Sequence, residues 1–266
     1  MTRLLAALAL AVLLSACGGE RGVSRFVSFD GTEIVYRDAG GADAPAVVLI
    51  HGLLASGETD FTDTGLAGEL RRQGFRVIIP DLRGHGLSGR PGADEAWARD
   101  AMVRDQFALL DHLDLLDYDL VGRGMGGQIA LKMMAAGAEP RRAVVIGMGE
   151  AGALDPQSRR AAYADALLNI DTPEAAEDPE QVREFARRLR RSGGDAAGGL
   201  AALSTITGVR PEALGRVSVP VLLIDGPAPA AGDVAALAER LPEARVGEAD
   251  TDRALRGLVT GFLGEG

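Results

Sequence analysis

Three histidines, one cysteine and one lysine bound the side-chain chemistry open to this chain of 266 residues. The histidines are His51, His85 and His112, so nothing beyond residue 112 offers an imidazole. Acyl transfer through a covalent intermediate needs a nucleophile with a base in reach. Ser56 and Ser88 are hydroxyls in suggestive loops, but no base is evident beside either. The single cysteine, Cys17, excludes an intramolecular disulfide framework and a cysteine-based metal site. No spacing of His, Asp and Glu suggests converging ligands, so neither a metal nor a cofactor is expected. The net charge of −10 argues against a nucleic-acid partner, which needs a basic face. The stretch richest in possible chemistry is Gly122-Arg123-Gly124-Met125-Gly126-Gly127. There a helix starting near Met125 would present backbone N–H groups and its positive dipole end.

These residues need elements to hold them. Apolar residues make up 47% of the chain and charged residues 25%, which is ordinary globular composition. Alternating strands are expected around 25–29 and 33–37, with Asp30-Gly31 as the hairpin turn. Continuous apolar runs at 46–50, 76–80, 143–146 and 219–224, and one ending at Leu120-Val121, read as strands buried on both faces. Helices are expected at 66–73, 94–113 and 125–136. Met125, Met133 and Met134 read as core filling. The alternation implies an α/β fold with a mostly parallel sheet and helices on both faces. Residues 150–216 interrupt it and read as an inserted helical cap. In its best helix, 179–191, Val182, Phe185 and Leu189 share one face, while Arg183, Arg187, Arg190 and Arg191 are expected on solvated faces, with a headgroup- or anion-binding face as the alternative. A weak strand is expected at 244–250.

Four signals in order, His51-Gly52, the loop from Asp81 to Ser88, the glycine-rich turn and the strand ending in Asp225-Gly226, resemble the α/β-hydrolase fold family. The resemblance runs from about residue 25 to the end of the chain. It implies a nucleophile elbow of pattern Gly-x-Ser-x-Gly. Here Gly124 stands where the serine belongs. The acid position, counted from Gly226, falls on Pro229. Asp225, Asp233 and Glu150 are the nearby carboxylates. The base position falls near Thr251, and no register can supply a histidine there. Asp250 or Asp252 is a poor substitute, because a carboxylate is a feeble base toward a hydroxyl near pH 7. The resemblance makes His51 and His85 scaffold residues and Ser88 a turn residue. His112, late in a helix, also reads as structural. The resemblance further implies an oxyanion hole from the backbone N–H groups of Leu53 and Met125, which does not depend on the lost side chains.

Residues 1–17 read as an address. Arg3 precedes an uncharged apolar run that is too short to span a bilayer, as in a secretory signal. The run ends in Leu14-Ser15-Ala16-Cys17, which resembles the bacterial lipobox. Cleavage before Cys17 and acylation of its thiol are therefore expected, with residues 1–16 as signal peptide and 17–24 as tether. Gly18 resembles the context that sorts a lipoprotein to the outer membrane, on its periplasmic face. The domain then occupies 25–266.

Two functional classes follow. One is a lipid-anchored, non-catalytic hydrolase homologue that binds a small anionic or carbonyl ligand, or a protein partner that the sequence does not identify. The other is a genuine ester or amide hydrolase with a relocated active site. A decaying gene is a third possibility.

Overall fold

The computed structural model describes residues 22–92, 94–226 and 232–265. The expected signal peptide at 1–16, Cys17 and Pro229 lie outside them. Eight strands among the described residues form one sheet: β1 (Val23–Val27), β2 (Glu33–Ala39), β3 (Ala46–Ile50), β4 (Arg76–Pro80), β5 (Tyr118–Arg123), β6 (Ala143–Ile146), β7 (Val221–Asp225) and β8 (Ala244–Glu248). Their spatial order is β1-β2-β4-β3-β5-β6-β7-β8. β1 and β2 are antiparallel, as are β2 and β4; every other pairing is parallel. β1 begins at Val23, so the last two residues of the expected tether belong to the sheet. They pair with Arg37 and Tyr36.

β3 is buried at all its positions, as a parallel strand covered on both faces must be. One face carries α2 (Ala101–His112) and α3 (Met125–Ala135), which pack Met102, Leu109, Ile129 and Met133 onto it. The other carries α1 (Leu66–Arg72) and α10 (Asp252–Leu263), through Leu66, Leu70, Val259 and Phe262. Met125, Met133 and Met134 are all buried in the first of these cores. β8 is an edge strand with mostly half-buried or exposed residues, which explains its weak apolar pattern.

One long helix over 94–113 does not form. A short 3₁₀ turn (Asp94–Trp97) is followed by a break, and α2 starts only at Ala101. Asp100 sits at φ 59°, a left-handed conformation that cannot continue a right-handed helix. Its carboxylate is held by Lys132, 2.5 Å away, a contact that helical periodicity cannot reveal.

Between β6 and β7 lie α4 (Glu150–Leu154), α5 (Gln157–Leu168), α6 (Pro179–Ser192), α7 (Ala196–Thr205) and α8 (Pro211–Leu214). Asp178 caps α6 by accepting from the N–H groups of Glu180 and Gln181. Val182, Phe185 and Leu189 are buried on one side of it. With Leu203 of α7 and Leu54 of the main domain they form a separate apolar cluster, which seats these helices over the strand ends. The short α9 (Val234–Ala238) joins β7 to β8.

Candidate functional site

The site is built where β3 and β5 end. At the β5–α3 junction, close packing demands the flanking glycines. A Cβ on Gly126 would collide with the Ile50 carbonyl, and one on Gly122 with the Gly126 carbonyl. Gly124 at the tip is different. Its φ and ψ of 51° and −116° are disfavoured for L-residues, yet a Cβ there would meet nothing nearer than the Gly52 Cα at 4.0 Å. The elbow backbone is therefore present, and glycine at its tip relieves the strain that a side chain would carry.

The second half of the site is the turn after β3, closed by the Ala55 N–H donating to the Gly52 carbonyl. Leu54 lies in it at φ 60° and is buried. Such a strained branched residue persists only where its surroundings over-determine it. They do so here. The Gly52 N–H donates to Asp60 Oδ2 at 2.7 Å, and the Leu54 carbonyl accepts from Ser192 Oγ at 2.9 Å. His51 Nε2 accepts from the Leu82 N–H, so its proton sits on Nδ1 and is donated to the Gly52 carbonyl at 2.8 Å. The backbone N–H groups of Leu53 and Met125 have no acceptor among the described residues. Both residues line a cavity of about 610 Å³ that reaches from Gly124 to α5 and α6.

No serine, cysteine or histidine lines this cavity among the described residues. Both rings near it are committed to scaffolding. His85 is buried 5.3 Å from the His51 ring, with Nδ1 against the Arg83 carbonyl. Burial, and secondarily the neighbouring His51, pushes its pKa down to about 3, so it is neutral. His112 stacks on Phe26 and meets the Tyr36 hydroxyl. Ser88 Oγ donates to the Asp81 carbonyl and accepts from the Val35 N–H; Ser56 Oγ accepts from the Thr59 N–H. Neither serine lines the cavity.

The other sequence candidates separate clearly. Thr251 caps α10, its hydroxyl accepting from the Ala254 N–H, while the adjacent Asp252 lines the cavity. Glu150 is held by Arg240 at 2.9 Å, Asp233 caps α9, and Asp225 is exposed at the end of β7. Arg183 and Arg187 pair with acidic residues of the α6 surface, as solvated arginines should. Arg191 is exposed and meets Asp63, as expected, and it also borders the cavity, together with Gln181, Glu184 and Arg188. These four follow a 3-4-3 spacing one position ahead of the apolar stripe, so the helical period did carry the signal. Arg123, Asp60 and the strained Leu54 also went unread.

This sheet order, elbow and pinned turn define the class. The chain belongs to the α/β-hydrolase fold family, which it matches over residues 45–186. It is 37% identical over 116 residues to a magnesium-chelatase 30 kDa subunit of Rhodobacter capsulatus, covering 43% of this chain and 37% of that protein. It is 36% identical over 138 residues to the mouse sn-1-specific diacylglycerol lipase ABHD11, covering 51% of this chain and 42% of the relative. The matches thus span about two-fifths of these relatives' length. Among solved structures, a hydrolase from Pseudomonas aeruginosa PA01 superposes with a TM-score of 0.75 at 22% identity, over 92% of this chain and 100% of that one.

Proposed function

We propose that this protein is a non-catalytic member of the family. It binds a small carbonyl- or carboxylate-bearing molecule at the old elbow and is held at a membrane by a lipid on Cys17. The observation that carries this reading is an elbow and a pinned turn beside a cavity lined, among the described residues, by no serine, cysteine or histidine. Two backbone N–H groups on cavity-lining residues, Leu53 and Met125, have no acceptor among the described residues, and no histidine lines the cavity with them there. Unsatisfied N–H groups in a sheltered site cost about 1–3 kcal/mol each, so a ligand oxygen or a water gains by meeting them. Loss of a whole triad in a serine protease lowers kcat about 10⁶-fold, and the hole with binding leaves only about 10³–10⁴ over water. One relative with a non-hydrolase name, the chelatase subunit, is consistent with the fold serving other ends.

The alternative is a hydrolase whose base is a carboxylate, since Asp60 and Asp252 both line the cavity. Short p-nitrophenyl esters and a serine-directed fluorophosphonate separate the two readings. The expected result is no turnover above that remnant and no labelling. Turnover of ordinary efficiency, or labelling at Ser56 or Ser88, overturns the non-catalytic reading.

The anchor is tested independently. No helix among the described residues is long and apolar enough to cross a membrane. The proposal is that acyl chains on Cys17, each contributing about 0.8 kcal/mol per buried CH₂, hold the protein at the periplasmic face of the outer membrane. Cys17→Ser should release it from the membrane fraction or leave it unprocessed. Wild-type protein wholly soluble in the periplasm removes this part of the proposal.

A further inference from the structure

The charge of the cavity wall runs against the charge of the chain. A protein of net charge −10 places five arginines around one cavity against four carboxylates. Two of those arginines are matched: Arg188 pairs with Glu184, and Arg191 lies 3.6 Å from Asp63. Asp60 accepts the Gly52 N–H, and Asp252 has no cation within 4.0 Å among the described residues. Arg159 and Arg160 of α5 meet only the Tyr163 hydroxyl and the Gln157 side-chain carbonyl. Arg123 is the most telling. It immediately precedes Gly124, is half-buried and lines the cavity, and its guanidinium has no ion-pair or hydrogen-bond partner among the described residues. Its guanidinium carries no counter-ion among those residues, and a carboxylate entering the cavity offers it a charge-assisted hydrogen bond. The wall also carries apolar side chains: Leu54, Met148, Phe185, Leu203 and Ile206.

Building on the ligand-binding reading above, we infer that the ligand is an amphiphilic carboxylic acid, taken as its anion. Its carboxylate meets the N–H groups of Leu53 and Met125, Arg123 supplies the opposing charge, and its hydrocarbon body lies along the apolar wall beneath α5 and α6. Arg123 is thus the residue that selects the anion over a neutral carbonyl of the same shape. Backbone donors alone accept either, whereas a guanidinium distinguishes them.

The experiment is calorimetry on the full chain with octanoate and with octanamide, its neutral counterpart, at low and high salt. Octanoate is expected to bind at least tenfold more tightly than octanamide, with that advantage shrinking at high salt. Arg123→Gln should lower octanoate affinity about tenfold and leave octanamide unchanged. Gly124→Leu, which fills the elbow, should abolish both. Equal affinity for the two compounds, or an octanoate preference that survives Arg123→Gln, overturns this inference while leaving the cavity reading intact. Binding of both unchanged by Gly124→Leu, or of neither by wild type, overturns the cavity reading and this inference with it.

Discussion

At the residue scale the decisive position is Gly124. Its backbone angles are those that a nucleophile would have to endure, and the space for a side chain is open. Gly124→Ser should therefore fold, but with a lower melting temperature, because a Cβ at this φ costs about 1–3 kcal/mol. It should not turn over p-nitrophenyl butyrate at an ordinary rate, because no histidine lines the cavity to take the hydroxyl proton. Thermal unfolding and a continuous ester assay on the single variant check both halves. Brisk turnover would mean that a carboxylate such as Asp252 is acting as the base. The absence of a serine at the elbow was legible from Gly124 itself. The strain at Leu54 was not, since it is imposed by Ser192, 138 residues away, as well as by nearby His51 and Asp60.

At the scale of elements, two polar clusters decide how the site is held. Arg83 is fully buried between Asp105, with two contacts of 2.6 Å, and Asp30 at 2.7 Å. It ties the β1–β2 hairpin and the loop after β4 to α2. Burial pushes the Asp30 carboxyl up, but the Arg83 hydrogen bond and the Thr32 N–H outweigh it and bring the pKa down to about 2. At Asp105 burial wins and the carboxyl is raised. Arg83→Met should cost about 3–5 kcal/mol in urea unfolding, because it strands the Asp105 carboxylate in the interior.

The second cluster fastens the cap. Gln128 Nε2, one turn into α3 from the elbow, donates to the carbonyls of Ala153 in α4 and Thr207 between α7 and α8. Lys132, one turn further, donates to the Thr207 carbonyl and pairs with Asp100. Lys132→Met should lower stability by about 1–3 kcal/mol and speed amide exchange in α5 to α7 more than in the sheet. Uniform exchange changes across both would argue against a local fastening. The helix break before α2 and this fastening share a cause, Asp100, which is why neither was readable from a pattern of apolar residues.

For the whole molecule, the clearest collective property is its response to acid. His85 titrates near 6.5 when unfolded and about 3 when folded, because burial and His51 disfavour its charged form. Between those values the unfolded chain binds the extra proton, so stability falls as pH falls through this window, by at most about 1.4 kcal/mol per pH unit. Asp30 adds a further loss from 3.8 toward about 2. Asp105 and Asp119, both raised by burial, act in the opposite direction. Chemical unfolding followed downward from about pH 6.5 reads this loss, and His85→Gln should flatten the slope there. An unchanged slope would assign the proton uptake to another group.

The sequence by itself determined the sheet and what the elbow lacks. Short valine-rich runs such as Ala46–Ile50 can be satisfied only as parallel strands covered on both sides. The glycines at 122 and 126 permit only a close strand-to-helix turn, and Gly124 has no atom able to attack a carbonyl. These are local properties, written in residue type and period. Tertiary structure alone decided which donors stay unsatisfied and which arginines border the cavity. Arg183 and Arg191 lie on the same helix and both meet acids at the surface, yet only Arg191 also borders the cavity. The difference is set by how the cap docks on Leu54, and that docking is an energy of packed surfaces distant in sequence, which no local pattern encodes.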